Sequence, residues 1–187
     1  MGQMKQLTTG DQKPQVGLEL QHALTQAEEL SVPAWVYPYR AGIIGGAWGG
    51  LAMIAVAVIY GISSGQGIWL PVNLIGATLV RHLQAASLEQ LATFNAVALI
   101  VGLTLHMALS IGLGLIFALL LPTLPGSPLL WAIIIGPLLW GLASVLILPL
   151  LDPVMTQYVD HRSFFVAHVV YSLVLGWWIA RTPKVHA

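Results

Sequence analysis

The sequence predicts an all-α membrane protein with four transmembrane helices. Of its 187 residues, 57% are hydrophobic and only 7% are charged, whereas a soluble domain carries roughly a quarter charged residues. Four apolar stretches reach the roughly 20 residues that a helix needs to cross the hydrocarbon core. A polar signature recurs in the second and fourth stretches, which predicts two parallel-repeat hairpins. A short re-entrant or interfacial segment and an N-terminal amphipathic helix complete the predicted fold.

Residues 1–39 are predicted to form a cytoplasmic tail that contains an amphipathic helix over 15–30. Val16, Leu20 and Leu24 stand at helical spacing. The polar face carries glutamates but no lysine or arginine, so an anionic lipid surface would repel it. The helix is therefore expected to dock on a partner or on the protein's own loops, unless it is simply solvated. The polar first forty residues also predict no cleaved signal peptide.

The predicted transmembrane domain covers residues 40–181, and its first span covers about 41–62. Aromatic residues followed by Arg40 precede this span, which is typical of a membrane interface. Small residues recur at every fourth position in two offset patterns, and this spacing lets helix backbones approach closely. The glycines of the two patterns are Gly42, Gly45, Gly46, Gly49 and Gly50. Two offset patterns predict that the helix is contacted on two sides.

The apolar segment 67–80 is too short to span, so it is predicted to be re-entrant or interfacial. Pro71 and Asn73 suit a bent segment whose freed backbone groups find partners inside the protein. The Lys and Arg residues near the spans favour a cytoplasmic N-terminus by three to two. The remaining predicted spans are about 93–121, 127–151 and 163–180, followed by a tail at 182–187.

The second and fourth spans share one polar motif, which is a histidine, a serine and a glycine at intervals of four. The motif residues are His106, Ser110 and Gly114 in one span and His168, Ser172 and Gly176 in the other. Steps of four keep three side chains on one helix face. An ionisable residue inside hydrocarbon is costly, and it therefore indicates a functional site.

Sequence around the first and third spans favours the same repeat. The string WGGLA at 48–52 resembles WGLAS at 140–144, and LPVN at 70–73 resembles LPLLD at 148–152. A repeat of two spans is a parallel one, with its axis along the membrane normal. It would place the two motif histidines at similar depth, where they could face each other across a pseudo-twofold axis.

Three hypotheses remain open for the histidine pair. In the first, each imidazole hydrogen-bonds across helices and only fixes their packing. In the second, the imidazoles hold haem b axially, and Gly112, Gly114 and Gly176 make room for the planar ring. In the third, they bind a quinone or a lipid headgroup, assisted by a motif serine or by Tyr171. The cofactor is therefore unknown, with none as the default, and no metal site is expected.

Composition and motifs exclude several functional classes. The absence of cysteine removes thiolate metal sites and iron–sulfur clusters, and a net charge of zero gives no footprint for nucleic acid. No carboxylate falls inside a predicted span, which argues against an ion-coupled transporter and leaves a passive transporter or channel as a weaker alternative. No catalytic motif is found, so the chain is not expected to be an enzyme. The loop charges, Asp152 among them, are predicted to be solvated.

The strings GIWLPVNLIGATL at 67–79 and SFFVAHVVYSLVLG at 163–176 resemble small, uncharacterised bacterial multi-pass membrane proteins that occur alongside respiratory-chain components. The resemblance covers residues 41–180 and carries over no catalytic residue. It implies a non-catalytic accessory or assembly subunit of a bacterial inner-membrane complex, with respiratory electron transfer as the candidate setting. The expected partners are membrane lipid and other membrane-protein subunits. A haem- or quinone-binding protein that uses His106 and His168 is the alternative.

Overall fold

The computed structural model describes residues 17–23 and 35–186 of the chain. Residues 17–23 are helical, and their side chains are exposed. The rest of the amphipathic helix predicted over 15–30 lies outside the described residues. Residues 35–186 form a compact unit of their own, and the following paragraphs concern that unit.

Residues 35–186 are almost entirely helical. The two strands are β1 (Trp35–Val36) and β2 (Val185–His186), and the helices are α1 (Tyr39–Ser63), α2 (Trp69–Ala77), α3 (Leu88–Leu91), α4 (Ala96–Leu120), α5 (Pro128–Leu142), α6 (Leu148–Leu151), α7 (Pro153–Tyr158) and α8 (His161–Arg181). Short 3-10 helices cover Arg81–Ala85 and Leu121–Thr123, and a π-helical turn at Ala143–Ile147 joins α5 to α6. Four helical stretches are long and apolar enough to cross a membrane, namely Tyr39–Ser63, Ala96–Thr123, Pro128–Leu151 and His161–Arg181. They confirm the predicted all-α membrane fold with four transmembrane helices.

The four spans pack side by side in a row. Both predicted hairpins form, because α1 packs on α4 and α5 packs on α8. The hairpins are joined by an extensive contact between α1 and α8, whereas α4 and α5 barely touch. The order across the row is therefore α4, α1, α8, α5. A twofold axis would require α4 and α5 to pack as α1 and α8 do, so the expected pseudo-twofold arrangement of the histidines is wrong.

The glycines of α1 explain why that helix lies inside the row. A methyl group added at Gly42 would come within 2.5 Å of the Gly114 carbonyl oxygen of α4. One added at Gly49 would come within 2.8 Å of the Tyr171 ring of α8. The two offset glycine patterns thus face two different helices, and each lets a neighbouring helix approach to backbone contact.

The segment predicted to be re-entrant or interfacial contains α2, whose nine residues extend about 13 Å. Pro71 stands in its first turn, where a missing N–H leaves no broken helical bond. The Asn73 amide nitrogen donates to the carbonyl oxygens of Leu91 and Thr93, at 2.7 Å each. The C-terminal end of α2 packs on the first two turns of α4 through Gly76. These contacts hold α2 against the N-terminal end of α4.

The two sides of the membrane domain differ in their loops. We call the side with residues 35–38, 121–127 and 182–186 the terminal side, and the side with residues 64–95 and 152–160 the loop side. On the terminal side β1 and β2 pair in antiparallel register, and the Arg181 guanidinium lies 4.2 Å from the centre of the Trp177 ring. Such aromatic and cationic groups are typical of a membrane interface.

Candidate functional site

His106 of α4 forms a hydrogen bond between helices. Its Nε2 lies 3.0 Å from the carbonyl oxygen of Gly50 in α1. Because a carbonyl oxygen only accepts, Nε2 carries the proton and donates, and the neutral ring keeps Nδ1 as an acceptor. His106 stands ten residues into α4, about 15 Å from the loop-side end of that helix. The ring is half-buried.

His168 of α8 instead bonds within its own helix. Its Nδ1 lies 2.8 Å from the Phe164 carbonyl oxygen one turn earlier and donates to it. The imidazole also packs edge-on against the Phe164 ring, with 4.4 Å between the ring centres. His168 stands seven residues into α8, about 10 Å from the loop-side end. Both histidines thus lie in the loop-side half of the membrane domain.

The two imidazoles are not bonded to each other. They are close enough to interact electrostatically, but within residues 35–186 no hydrogen bond or ring contact joins His106 to His168. Helix α1 packs extensively on both α4 and α8, and each imidazole has a backbone carbonyl as its partner. The arrangement of His106 matches the first hypothesis, in which a histidine fixes helix packing.

Ser172 of the motif and its neighbour Tyr171 also bond to backbone groups. Ser172 donates to the Val169 carbonyl oxygen of its own helix at 3.0 Å. The Tyr171 hydroxyl donates to the Ser110 carbonyl oxygen at 2.6 Å. This bond joins α8 directly to α4, past the glycine face of α1. Tyr171 is therefore not free to assist a ligand.

The glycines that were expected to make room for a haem ring are closed by neighbouring helices. Gly114 lies against Gly42 and Gly46 of α1, and Gly176 lies against Ala132 of α5. Gly112 faces outward, with no atom within 4 Å of a methyl group built there. The idea that Gly114 and Gly176 accommodate a planar ring is wrong, and both positions serve helix packing instead. A haem bound by both imidazoles would also require His106 to give up its bond to Gly50 or to bind through Nδ1.

The structure contains an apolar cavity that the sequence did not indicate. Its volume is about 110 Å³, and its walls come from α1, α2, α7 and α8 together with His106 of α4. Aliphatic and thioether side chains cover most of the wall, whereas Tyr60, Asp160 and Ser163 line its part nearest the loop side. Of the residues singled out in the sequence, His106 and Pro71 line this cavity. No periodicity could reveal it, because it arises where four separate helices fail to meet.

Asp152 forms a second feature that sequence reasoning missed. It is only 1% exposed, which corrects the prediction of a solvated side chain. Its carboxylate accepts from the Thr78 hydroxyl at 2.7 Å, the Gln84 amide at 2.8 Å and the Met155 backbone N–H at 3.1 Å. These bonds attach the end of α2 to the turn after the third span. The match of LPVN with LPLLD marked two buried polar residues, Asn73 and Asp152, that hold the loop side together.

Comparison with known proteins adds no functional assignment. No family model matches the chain, and no curated protein or solved structure matches it either. Within the part of the chain that the structure describes, no group of three or more histidine, aspartate or glutamate side chains could hold a metal ion. The function must therefore be inferred from the packing and the polar groups of the spans themselves.

Proposed function

We propose that the protein is a non-catalytic accessory or assembly subunit of a larger complex in a bacterial inner membrane. A respiratory electron-transfer complex is the candidate setting, and membrane lipid and other membrane-protein subunits are the partners. The observation that carries this proposal is the packing of the third span, Pro128–Leu151, at the end of the row.

The third span is the least enclosed of the four. It packs extensively on α8 alone among the spans, and 11% of its most apolar window is buried, against 39% for the fourth span. The π-helical turn Ala143–Ile147 contains no buried residue, and Val145 within it is 81% exposed. Lipid alone can cover an apolar helix, but π-helical turns are rare and recur at functional sites. A second membrane protein that packs on this turn would give the irregular surface a function.

The polar groups of the spans are consistent with a non-catalytic role. Both motif histidines and Tyr171 bond to backbone carbonyl oxygens. A general acid or base needs a free proton-carrying group within hydrogen-bond reach of its substrate. Each of these three side chains donates a hydrogen bond to a backbone carbonyl oxygen, and the bond supports the fold.

Site-specific crosslinking tests the subunit role. A photoreactive p-benzoylphenylalanine is placed at Val145 and, as a matched control, at Ile59 of α1, which is 65% exposed. We expect Val145 to crosslink to one membrane protein that also comigrates with this chain as a native complex in digitonin, and Ile59 to give no protein adduct. A monomer in mild detergent, with lipid adducts alone at both positions, would overturn the proposal.

A further inference from the structure

The apolar cavity on the loop side reaches deep into the membrane domain. Met53 and His106, which both line it, stand ten residues from the loop-side ends of α1 and α4. Ten helical residues correspond to about 15 Å, which is about half of a hydrocarbon core roughly 30 Å thick. Tyr60 and Asp160 line the cavity close to the loop-side helix ends. The cavity therefore extends from the interface to about the middle of the bilayer.

Hydrogen bonds hold α2, which forms one wall of the cavity, in place. Leu70, Leu74 and Ile75 of α2 line it, while Asn73 of the same helix is tied to the carbonyl oxygens of Leu91 and Thr93. Thr78, just beyond α2, is tied to the buried carboxylate of Asp152. Since α2 is fastened by these bonds, it can span the cavity without collapsing into it.

His106 places a hydrogen-bonding side chain at the deep end of this apolar wall. Its Nε2–H is committed to the Gly50 carbonyl, and Nδ1 has no hydrogen-bond partner among the described residues. An acceptor without a partner can receive a hydrogen bond from a ligand. A ligand hydroxyl can donate to Nδ1, whereas a carbonyl oxygen would bring a second acceptor and gain nothing.

We propose that the cavity binds an apolar molecule through a hydroxyl group that donates to Nδ1 of His106. The depth of His106 favours a molecule whose only polar groups are small hydroxyls, because a phosphate or glycerol headgroup is costly to bring to mid-bilayer. A quinol and a long-chain alcohol both meet this description. The inference is independent of the subunit role, because the cavity lies away from the exposed side of the third span.

The walls suit a ring or a short piece of chain. The cavity volume of about 110 Å³ is of the same order as the roughly 150 Å³ that accommodates benzene in an engineered protein cavity. Met53 and Met155 line it, and flexible thioether side chains adapt readily to the outline of a ligand. Phe164 and Tyr158 also line it and can pack against a ring edge or face.

Titration calorimetry of the purified protein in nanodiscs tests the proposal, with protein-free nanodiscs to subtract partitioning. The probes are decylubiquinol, decylubiquinone and 1-dodecanol. We expect decylubiquinol to bind about tenfold more tightly than decylubiquinone, since one hydrogen bond to Nδ1 of His106 is at stake. His106→Phe should reduce this ratio to about twofold or less. Dodecanol that binds as tightly as the quinol would identify a general alcohol site, and failure of dodecanol to bind would identify a quinol site.

Two alanine substitutions on α1 separate the cavity from the fold. Ala57 lines the cavity, whereas Ala55 is exposed on the same helix. Ala57→Leu keeps His106 but fills the space, so it should weaken decylubiquinol binding about tenfold or more, and Ala55→Leu should leave it unchanged. Equal binding of quinol and quinone to the unaltered protein, unchanged binding in Ala57→Leu, or no binding of any probe would each overturn the proposal.

Discussion

Hydrogen bonds from side chains to backbone carbonyls hold neighbouring spans together at the level of single residues. His106 reaches the Gly50 carbonyl in α1, and Tyr171 reaches the Ser110 carbonyl in α4. Helical carbonyl oxygens retain a second lone pair, so they can accept these bonds without losing their own helix bond. In hydrocarbon, where burial of apolar surface does not drive helices together, such bonds and close packing set the arrangement.

Removal of the Tyr171 hydroxyl would measure how much one such hydrogen bond stabilises the protein. Tyr171→Phe keeps the ring against Gly49 and removes only the bond to Ser110. We expect it to lower the free energy of unfolding by about 0.6–1.7 kcal/mol, which runs from the average to the maximum for hydrogen bonds between transmembrane helices. Unfolding by a denaturing detergent, or by steric trapping, measures the difference. Tyr39→Phe is the control, because Tyr39 is 69% exposed at the start of α1. Equal stabilities of the two variants would show that the Tyr171 bond contributes nothing.

At the level of elements, the contact of α1 with α4 depends on the absence of side chains. A methyl group at Gly46 would meet the Ser110 carbonyl oxygen and lie 3.0 Å from the Ile111 α-carbon. Backbone atoms cannot rotate away, so the helices would have to separate. We expect Gly46→Ala to destabilise the protein by about 1–3 kcal/mol, as measured by the same unfolding assay.

Gly112→Ala makes the matched control for this prediction. Gly112 lies in α4 like the residues that Gly46 contacts, but nothing lies within 4 Å of a methyl group built there. Alanine is the better helix former by about 1 kcal/mol, so we expect this variant to be as stable as the original or more so. Similar destabilisation by both substitutions would indicate that helix propensity, and not the contact between α1 and α4, explains the result.

The attachment of α2 to the second hairpin depends on Asp152. Asp152→Ala would leave the Gln84 amide and the Met155 N–H without the carboxylate oxygen that they share. Hydrogen bonds to a charged group contribute about 1.5–3 kcal/mol each, so we expect a loss of stability of at least about 1.5 kcal/mol. Hydrogen exchange should show the largest loss of protection in α2 and the following 3-10 helix. Glu89→Ala, at an exposed position on the same side, should change neither measurement.

At the level of the whole molecule, the sequence was sufficient for the spans but not for their arrangement. Length and hydropathy located all four spans to within a few residues, and they predicted that segment 67–80 is too short to cross. The glycine patterns indicated a helix with two neighbours without saying which helices these were. The order of the row and the loop-side cavity depend on contacts between distant segments, such as Thr78 with Asp152. The histidine motif could not show that each imidazole takes a backbone carbonyl as its partner, or that no hydrogen bond joins the two rings.

The orientation of the row in the membrane can be tested because the chain contains no cysteine. Arg40, Arg181 and Lys184 lie on the terminal side, while Arg81 and Arg162 lie on the loop side, so the positive-inside rule favours a cytoplasmic terminal side. In intact cells we expect a membrane-impermeant maleimide to label Ser64→Cys and not Thr123→Cys, and permeabilised cells to show labelling of both.

A third position tests whether α2 returns to the side from which it came. Ser64 precedes α2 and Ala85 follows it, and both are exposed. A helix of nine residues covers less than half of the hydrocarbon core, so the chain should come back to the loop side before α4. We therefore expect Ala85→Cys to label together with Ser64→Cys in intact cells. Labelling of Thr123→Cys together with Ser64→Cys in intact cells, with Ala85→Cys protected, would mean that segment 67–80 crosses the bilayer, and it would reverse the assignment of sides for every residue after α2.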